Sequence, residues 1–449
     1  SLFTVSGTIV ANRFVYVKTF GCQMNEYDTE RMLNVLAEQN YSKTEDPEEA
    51  DLIVINTCSV REKSEQKFFS LLGRLQKLRK KGRVLLAVGG CVAQQEGEKI
   101  LDRAPYVDLV FGTSAIDRLP GMIDRVIARG KAQVDIDLTG EETEPGYHPL
   151  AARSSSYTAF VTVMRGCNNF CSYCVVPYVR GRERSRPQET VVREVQALAD
   201  RGVKEVTLLG QNVNSYGCTG EESNGLFPQL LRAIDRVEGI QRIRFTTSHP
   251  KDLSGSLISC FREVEKLCPH IHLPLQSGSN RTLARMNRRY TIEEYQDKVE
   301  RLRAICPDIA LTTDLIVGFP GETEEDFQDT LDAVRRIEYD EFFSFKYSDR
   351  PNTRASGMDQ KVEEEEKSRR LTVLQNMQKA ITLRRNRALV GKVSEILVEG
   401  GSKRNCVQQM GRTGTNKIVN FEGPSHLHGE MVMVEIVSAH PHSLQGRLV

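Results

Sequence analysis

Short, nearly continuous apolar strands alternate with amphipathic helices twice along the chain, and that double alternation narrows the possible folds more than any other feature. In the first series Phe14 to Thr19, Asp51 to Asn56, Val84 to Val88 and Val107 to Phe111 read as strands. Asn25 to Asn40, Glu62 to Lys81 and a stretch ending near Arg129 read as helices. Strands without polar alternation need cover on both faces, so residues 13–130 are predicted to form a parallel sheet wrapped by helices. Residues 131–156 are polar, with proline, glycine and a serine triplet, and read as a linker. From residue 157 the alternation restarts at larger scale. Six candidate strands (159–164, 205–210, 243–247, 270–274, 311–317 and 341–347) separated by helices predict a partial (β/α)6 barrel. The class is α/β, and 449 residues are too many for one core.

A long helix is expected over residues 358–388. Glu363 to Glu366 open it, and only basic charges follow from Lys367 to Arg387. That asymmetry suits the helix macrodipole, and seven Lys or Arg without an acid also suit a phosphate-facing stripe. The tail reads as strands with glycine-rich turns, which predicts a small OB-like β-barrel.

Eleven cysteines in a chain of this size read as reduced, metal-ligating or buried thiols rather than a disulfide scaffold. Cys167, Cys171 and Cys174 stand in Arg-Gly-Cys-Asn-Asn-Phe-Cys-Ser-Tyr-Cys, a CxxxCxxC triplet. Three thiolates so close together can hold three irons of a [4Fe-4S] cube and leave the fourth open; a fourth cysteine would close it. Zinc also accepts such spacing, but it wants another Cys or His nearby, and none lies between Cys174 and Cys218. Cys22, Cys58 and Cys91 each follow one of the first three predicted strands, where a parallel sheet opens its ligand crevice. One such thiol is ordinarily a buried structural residue. The same placement on three successive strands points to a second three-ligand cluster. Cys218, Cys260, Cys268, Cys306 and Cys406 follow no such pattern and read as ordinary thiols.

Thr-Phe-Gly-Cys-Gln-Met-Asn, Asn-Thr-Cys-Ser-Val-Arg, Cys-Ser-Tyr-Cys-Val-Val-Pro-Tyr-Val-Arg-Gly and Leu-Leu-Gly-Gln-Asn-Val-Asn-Ser-Tyr resemble the tRNA methylthiotransferases of the MiaB type, which are radical S-adenosylmethionine (SAM) enzymes. The likeness runs from about Phe14 to Val449. This chain has Arg165 where that family often has Glu, which alters charge near the triplet but not ligation. The resemblance implies an auxiliary-cluster domain over 13–130, a radical-SAM barrel with its long basic helix over 157–384, and a TRAM domain over 385–449. It implies two [4Fe-4S] clusters, one on Cys22, Cys58 and Cys91 and one on Cys167, Cys171 and Cys174, the latter binding SAM. Around the SAM site it points to Tyr173, Gly210, Gln211, Asn212, Ser248, Gln276 and Arg182. No side chain is expected to be catalytic, because the cofactors carry the chemistry. The implied reaction adds a methylthio group at C2 of N6-isopentenyladenosine next to the anticodon. The alternatives are threonylcarbamoyl-adenosine or a ribosomal-protein aspartate as substrate, or a non-catalytic zinc-bearing RNA-binding protein.

The expected partners are a tRNA anticodon stem-loop with its target base splayed out, a flavodoxin- or ferredoxin-type electron donor, and a sulfur or cluster carrier. With a net charge of +1, contact with RNA must come from local patches. Arg180, Arg182, Arg184 and Arg186 form one candidate, by the bidentate fork that suits phosphate and carboxylate; Lys392, Lys403, Arg404, Arg412 and Lys417 form another. His249 and His272 read as capping or packed side chains. No basic n-region or long apolar h-region marks a signal peptide, and the longest apolar runs fall far short of the roughly 20 residues of a membrane span, so a cytoplasmic location is expected.

Overall fold

The computed structural model describes residues 4–5, 8–9, 13–59, 62–81, 84–138, 157–218, 225–402 and 408–449. The chain divides into two compact units. One comprises residues 1–155, 165–168 and 175–184; the other comprises 156–164, 169–174 and 185–449.

The first unit is built on six parallel strands: β1 (Arg13–Thr19), β2 (Tyr41–Lys43), β3 (Leu52–Thr57), β4 (Leu85–Gly90), β5 (Leu109–Phe111) and β6 (Gln133–Asp135). Their order across the sheet is β2-β1-β3-β4-β5-β6. Side chains alternate between two buried layers. Leu52 and Val54 meet Met32, Leu36, Met122 and Ile123 of helices Gln23–Ala37 and Leu119–Arg129. Ile53 and Ile55 meet Phe68, Leu72 and Leu75 of helix Glu62–Lys81. The order reverses direction between β1 and β3, which makes their carboxyl ends the ligand crevice of a doubly wound sheet. Two edge strands differ from expectation. Gln133–Asp135 lies in the stretch read as linker, and Tyr41–Lys43 was not expected; each is three residues long with one apolar side chain. The rest of that linker, 139–156, lies outside the described residues.

In the second unit six parallel strands form two runs. β7 (Thr158–Thr162), β8 (Glu205–Leu209) and β9 (Arg242–Phe245) pair in sequence, as do β10 (His270–His272), β11 (Ala310–Val317) and β12 (Glu341–Lys346). A parallel bridge, Ile243 to Leu267, carries the first run toward the second. Thr291 and Thr323 open helices Ile292–Ile305 and Glu324–Ile337 with capping boxes completed by Glu294 and Asp326, so these boundaries are set locally.

Helix Glu364–Arg387 follows. Its basic residues are largely committed within the fold. Arg370 bonds buried Glu322 at 2.7 Å, Arg385 reaches Asp340 at 3.0 Å, and Lys367, Arg369 and Arg384 also carry ion pairs. The phosphate-stripe reading is corrected to that extent.

The tail closes into a barrel of β13 (Val393–Gly401), β14 (Gln408–Thr413), β15 (Ile418–Glu422), β16 (Met431–Ala439) and β17 (Leu444–Leu448), in the order β13-β14-β15-β17-β16. Two buried arginines on β9 anchor it. Arg242 donates to the carbonyls of Arg412 and Glu395, and Arg244 donates to those of Gly414 and Thr413 at 2.7 Å each while pairing with Glu205 at 2.8 Å. Lys417 is spent on Asp340 at 3.0 Å and Arg412 on Glu399 at 3.1 Å, so two of the five tail cations read as RNA contacts serve the fold. Lys403, Arg404 and Cys406 lie outside the described residues. No helix among the described residues is long and apolar enough to cross a membrane.

Candidate metal centres

Cys58 and Cys91 stand directly after β3 and β4, and Cys22 stands three residues beyond the end of β1; the three strands are neighbours in the sheet. Short-range chemistry draws these strand ends together. Asn25 Nδ2 donates to the carbonyls of Phe20 and Thr57 at 3.1 and 2.7 Å, and Asn56 Nδ2 donates back to the Asn25 carbonyl at 2.8 Å. Thr57 Oγ1 donates to Gly89 and accepts from the amides of Val92 and Ala93, which open the helix that begins at Cys91. Glycine is required beside two of the cysteines. A Cβ on Gly21, whose φ is +121°, would lie 2.4 Å from Cys58 Cβ and 2.8 Å from its Sγ. A Cβ on Gly90, with φ +92°, would lie 2.4 Å from Asn56 Oδ1 and from the Thr57 carbonyl. The apposition of the thiols is therefore written into Phe-Gly-Cys and Gly-Gly-Cys.

The charges around these thiols come from a segment distant in sequence. Arg180 is buried, donates to Asp28 Oδ2 at 2.8 Å and to Asn25 Oδ1 at 3.3 Å, and faces the thiols of Cys22 and Cys91. Arg165 reaches the same Asp28 at 3.4 Å. Burial works against the Arg180 charge, but Asp28 and the two thiols outweigh it and hold its pKa above the ordinary value. Thr113 Oγ1 donates to the Val179 carbonyl at 2.7 Å, and Val175 and Val179 pack on Cys91, which fixes this segment on the sheet.

A hydrogen bond from Cys58, helped against desolvation by Arg180 and by the amides of Asn25 and Met24, lowers the Cys22 thiol to about pH 6. Burial pushes Cys91 the other way, above the ordinary thiol value. The reacting species in alkylation is the thiolate. In cluster-free protein, iodoacetamide labelling of exposed Cys22 is therefore expected to reach half its maximal rate near pH 6, rising with pH, while buried Cys58 and Cys91 lag at pH 7. Peptide mass spectrometry of timed reactions reads this. Labelling of Cys22 with the onset of an ordinary thiol near pH 8.5 would contradict it.

The CxxxCxxC run is held at both ends. In the first unit the amide of Cys167 donates to the Gly181 carbonyl at 3.2 Å. In the second unit a stretch the sequence did not single out, Arg285 to Tyr290, cradles residues 169–173. Asn287 Nδ2 donates to the carbonyls of Asn169 and Phe170 at 3.2 and 3.0 Å, and Ser172 Oγ donates to that of Arg285 at 2.9 Å. Buried Arg288 donates to Cys171 Sγ at 3.3 Å and to Tyr173 Oη at 3.5 Å, with the Pro274 carbonyl at 2.8 Å fixing its other arm. The only signal in the sequence was two adjacent arginines before a tyrosine, which looks like any solvated loop.

Gly210, Gln211, Asn212, Ser248 and Gln276 all fall just beyond the carboxyl ends of β8, β9 and β10. Three buried polar atoms there, Asn212 Oδ1, Ser248 Oγ and His249 Nε2, have no hydrogen-bond partner among the described residues. His249 does cap the next turn, accepting from the Lys251 amide at Nδ1, and burial, reinforced by Arg288, keeps its ring well below the usual pKa. With Nδ1 accepting, the single proton sits on Nε2, a buried donor with no acceptor among the described residues. Orphaned groups of this kind mark a place built for a polar ligand.

Arg182 lies instead in the first unit, lining a cavity of ≈ 300 Å³ with Arg165, Arg180 and Arg184. Arg186 is spent on Glu194 at 2.7 Å and on the Thr162 carbonyl. The four-arginine series thus splits, with Arg180 and Arg186 buried and Arg182 and Arg184 exposed. Among the described residues no three His, Cys, Asp or Glu side chains converge as metal ligands do. The thiols of Cys22 and Cys91 face a guanidinium, and their placement, the lowered pKa of Cys22 and the surrounding positive charge fit an anionic iron–sulfur cluster.

Three family models match the chain: uncharacterized protein family UPF0004 over residues 14–112, the radical SAM superfamily over 161–334 and the TRAM domain over 387–449. A tRNA-2-methylthio-N(6)-dimethylallyladenosine synthase of Syntrophus aciditrophicus is 52% identical over 99% of this chain and 96% of its own length. One from Geobacter metallireducens is 50% identical over 98% and 99%. Among solved structures, a radical SAM methyltransferase, TsrM, from Kitasatospora setae, determined with cobalamin and a [4Fe-4S] cluster bound, superposes with a TM-score of 0.57 at 16% identity, covering 77% of this chain and 74% of its own. That likeness concerns the fold alone.

Proposed function

On the premise that the chain belongs to the family of the tRNA-2-methylthio-N(6)-dimethylallyladenosine synthases, we propose that Cys22, Cys58 and Cys91 ligate its auxiliary cluster and that Cys167, Cys171 and Cys174 ligate the cluster that binds SAM. The chain is a radical SAM methylthiotransferase that modifies N6-isopentenyladenosine in tRNA at C2, with [4Fe-4S] clusters and SAM as cofactors. Threonylcarbamoyl-adenosine and a ribosomal-protein aspartate are disfavoured as substrates by the relatives' dimethylallyladenosine name. When bound, the cofactors supply the electron, the radical and the sulfur.

The chain's own residues bind and orient. Arg288 donates to Cys171 Sγ and orients that side chain. Asn212 Oδ1, Ser248 Oγ and the His249 Nε2–H offer one acceptor, one hydroxyl and one donor to the polar groups of SAM. Gly210, Gln211 and Gln276 stand at the same strand ends, Tyr173 meets Arg288 in the cysteine loop, and exposed Arg182 and Arg184 are better placed by chemistry for RNA phosphate than for SAM. The anticodon-adjacent position of the target, a flavodoxin- or ferredoxin-type electron donor, a sulfur or cluster carrier, and a cytoplasmic location complete the reading.

The observation that carries it is the arrival of three cysteines at the carboxyl ends of three neighbouring strands beside the switch in strand order. The test is mass spectrometry of nucleosides from isopentenylated tRNA incubated with reconstituted protein, SAM and a reductant. The methylthiolated nucleoside is expected to appear only with isopentenylated tRNA. Its formation on threonylcarbamoyl-adenosine instead would reassign the substrate.

A further inference from the structure

Edge strand β12 carries three aromatic or apolar positions that its neighbours do not cover. Ser344 accepts from Gln375 at 3.4 Å and Lys346 pairs with Glu364, both on helix Glu364–Arg387, so Phe342, Ser344 and Lys346 lie on the covered side of the sheet. Their partners there, Leu315 and Val317 of β11, are fully buried. Successive side chains of a strand alternate, so Glu341, Phe343 and Phe345 turn to the other side, the inner face of the partial barrel. In-register pairing sets Thr312, Asp314 and Ile316 beside them, and His272 of β10 beside Thr312. Phe343 is 51% exposed and Phe345 37%. Two bare phenyl rings next to Ile316 on an inner face form a patch suited to an apolar ligand. The face adjoins the strand ends assigned to SAM: the Gln276 amide donates to the Asp314 carbonyl at 2.9 Å, and Ile316 packs on the same core cluster as Tyr173.

Asp314 is the polar group in the middle of this face. His272 Nε2 holds its Oδ2 at 3.4 Å and is itself oriented by Thr312 Oγ1, 3.0 Å from Nδ1. Asp314 Oδ1 has no hydrogen-bond partner among the described residues. Glu341 stands on the same face, 4.0 Å from exposed His442. No lysine or arginine pairs with either carboxylate among the described residues. Lys379 lines a cavity of ≈ 330 Å³ along the β12 edge, but it belongs to the helix on the opposite side of the strand.

We propose that Asp314, Phe343 and Phe345 select the N6 substituent of the target adenosine. The two rings and Ile316 take the neutral dimethylallyl group, Asp314 Oδ1 accepts the N6–H, and Asp314 with Glu341 repels a substituent that carries its own carboxylate. The inference rests on the substrate reading made above and supplies its physical basis. With C2 presented to SAM, N6 projects to another side of the ring, toward the face just below the strand ends. A threonylcarbamoyl group and an aspartate side chain are both anionic at neutral pH, and like charges brought together across a binding surface are penalised. A dimethylallyl group meets no such penalty and gains from leaving water.

The test measures dissociation constants of the reconstituted holoprotein with SAM, without reductant, for three anticodon stem-loops that differ only at the target adenosine: isopentenylated, unmodified and threonylcarbamoylated. Ratios between stem-loops, taken on one preparation, do not depend on the fraction of folded protein. The parent should bind the isopentenylated stem-loop tightest and the threonylcarbamoylated one weakest, about tenfold below the unmodified one. Asp314→Asn keeps the shape and an acceptor while removing the charge. It should bring the threonylcarbamoylated stem-loop close to the unmodified one, with a smaller effect on the isopentenylated one. Phe343→Ala and Phe345→Ala should show the reverse pattern, cutting the preference for isopentenylated over unmodified about tenfold without improving the threonylcarbamoylated one. A structural disturbance would weaken all three together, and that result would overturn the proposal, as would unchanged ratios in Asp314→Asn or in both phenylalanine variants. A parent that prefers the threonylcarbamoylated stem-loop would overturn the substrate reading and this inference together. The expected parent order with unmoved ratios in the variants overturns the inference alone.

Discussion

Replacing Cys58 with alanine is expected to abolish sulfur transfer to tRNA while the protein still folds and still cleaves SAM reductively to 5′-deoxyadenosine. Cys58 is 2% exposed and packs against the bare backbone of Gly21, so the change removes one buried sulfur and leaves a small void. Such a truncation costs about 1 kcal/mol, within the roughly 5–15 kcal/mol of a typical domain. Asn25, Asn56 and Thr57 bond one another's elements through their own side chains and through backbone, so these bonds remain when the Cys58 thiol and its hydrogen bond to Cys22 are removed. The functional loss should be far larger. Removing groups that merely orient metal ligands costs about 10–100-fold, so loss of a ligand sets a floor of about 100-fold on methylthiolated nucleoside formed in a single turnover. Nucleoside mass spectrometry and 5′-deoxyadenosine quantified from the same reaction separate the two activities. Methylthiolated nucleoside at the parent's single-turnover yield would make Cys22, Cys58 and Cys91 structural thiols.

Period and spacing made the layers and both cysteine triplets legible before any coordinates. Ile53 and Ile55 on one face and Leu52 and Val54 on the other produce the unbroken apolar run that announces a buried parallel strand. Cys22, Cys58 and Cys91 were visible because each ends such a run. Short edge strands lack that signal: in Gln133–Asp135 a single apolar residue sits between polar ones, and pairing with Leu109–Phe111 decides its state. The partners of charged residues were also hidden. Arg180, Arg182, Arg184 and Arg186 form one regular series in sequence, yet Arg186 serves Glu194 and Arg180 serves Asp28, more than 150 residues upstream. Arg288 could not be told from a solvated arginine without knowing that the 285–290 stretch returns to the cysteine loop. In the tail, basic composition suggested RNA contact, but Lys417 and Arg412 have acidic partners. Deleting the tail is for the same reason a poor test of RNA binding. It would strip the carbonyl partners from buried Arg242 and Arg244 and so disturb β9 of the barrel itself.

Cys171→Ala should give the reverse of the Cys58 phenotype: no 5′-deoxyadenosine, with about half of the iron and sulfide retained. The substitution takes an acceptor from Arg288, but that guanidinium keeps the Pro274 carbonyl at 2.8 Å and Tyr290 Oη at 3.0 Å, so no buried cation is left stranded. The loop keeps its supports as well, since Asn287 and Ser172 hold it through carbonyls of Asn169, Phe170 and Arg285 rather than through sulfur. The fold should therefore survive, and the auxiliary triplet, which shares no ligand with this run, should keep its cluster. The loss of SAM cleavage should be complete within detection, because two thiolates cannot hold three irons of a cube with the fourth left open. Iron and sulfide per chain, with 5′-deoxyadenosine measured in the absence of tRNA, read both halves of the expectation. Loss of all iron would mean that the six cysteines serve one centre rather than two. Retained SAM cleavage would remove Cys171 from the ligand set and leave Arg288 bonded to a merely structural thiol.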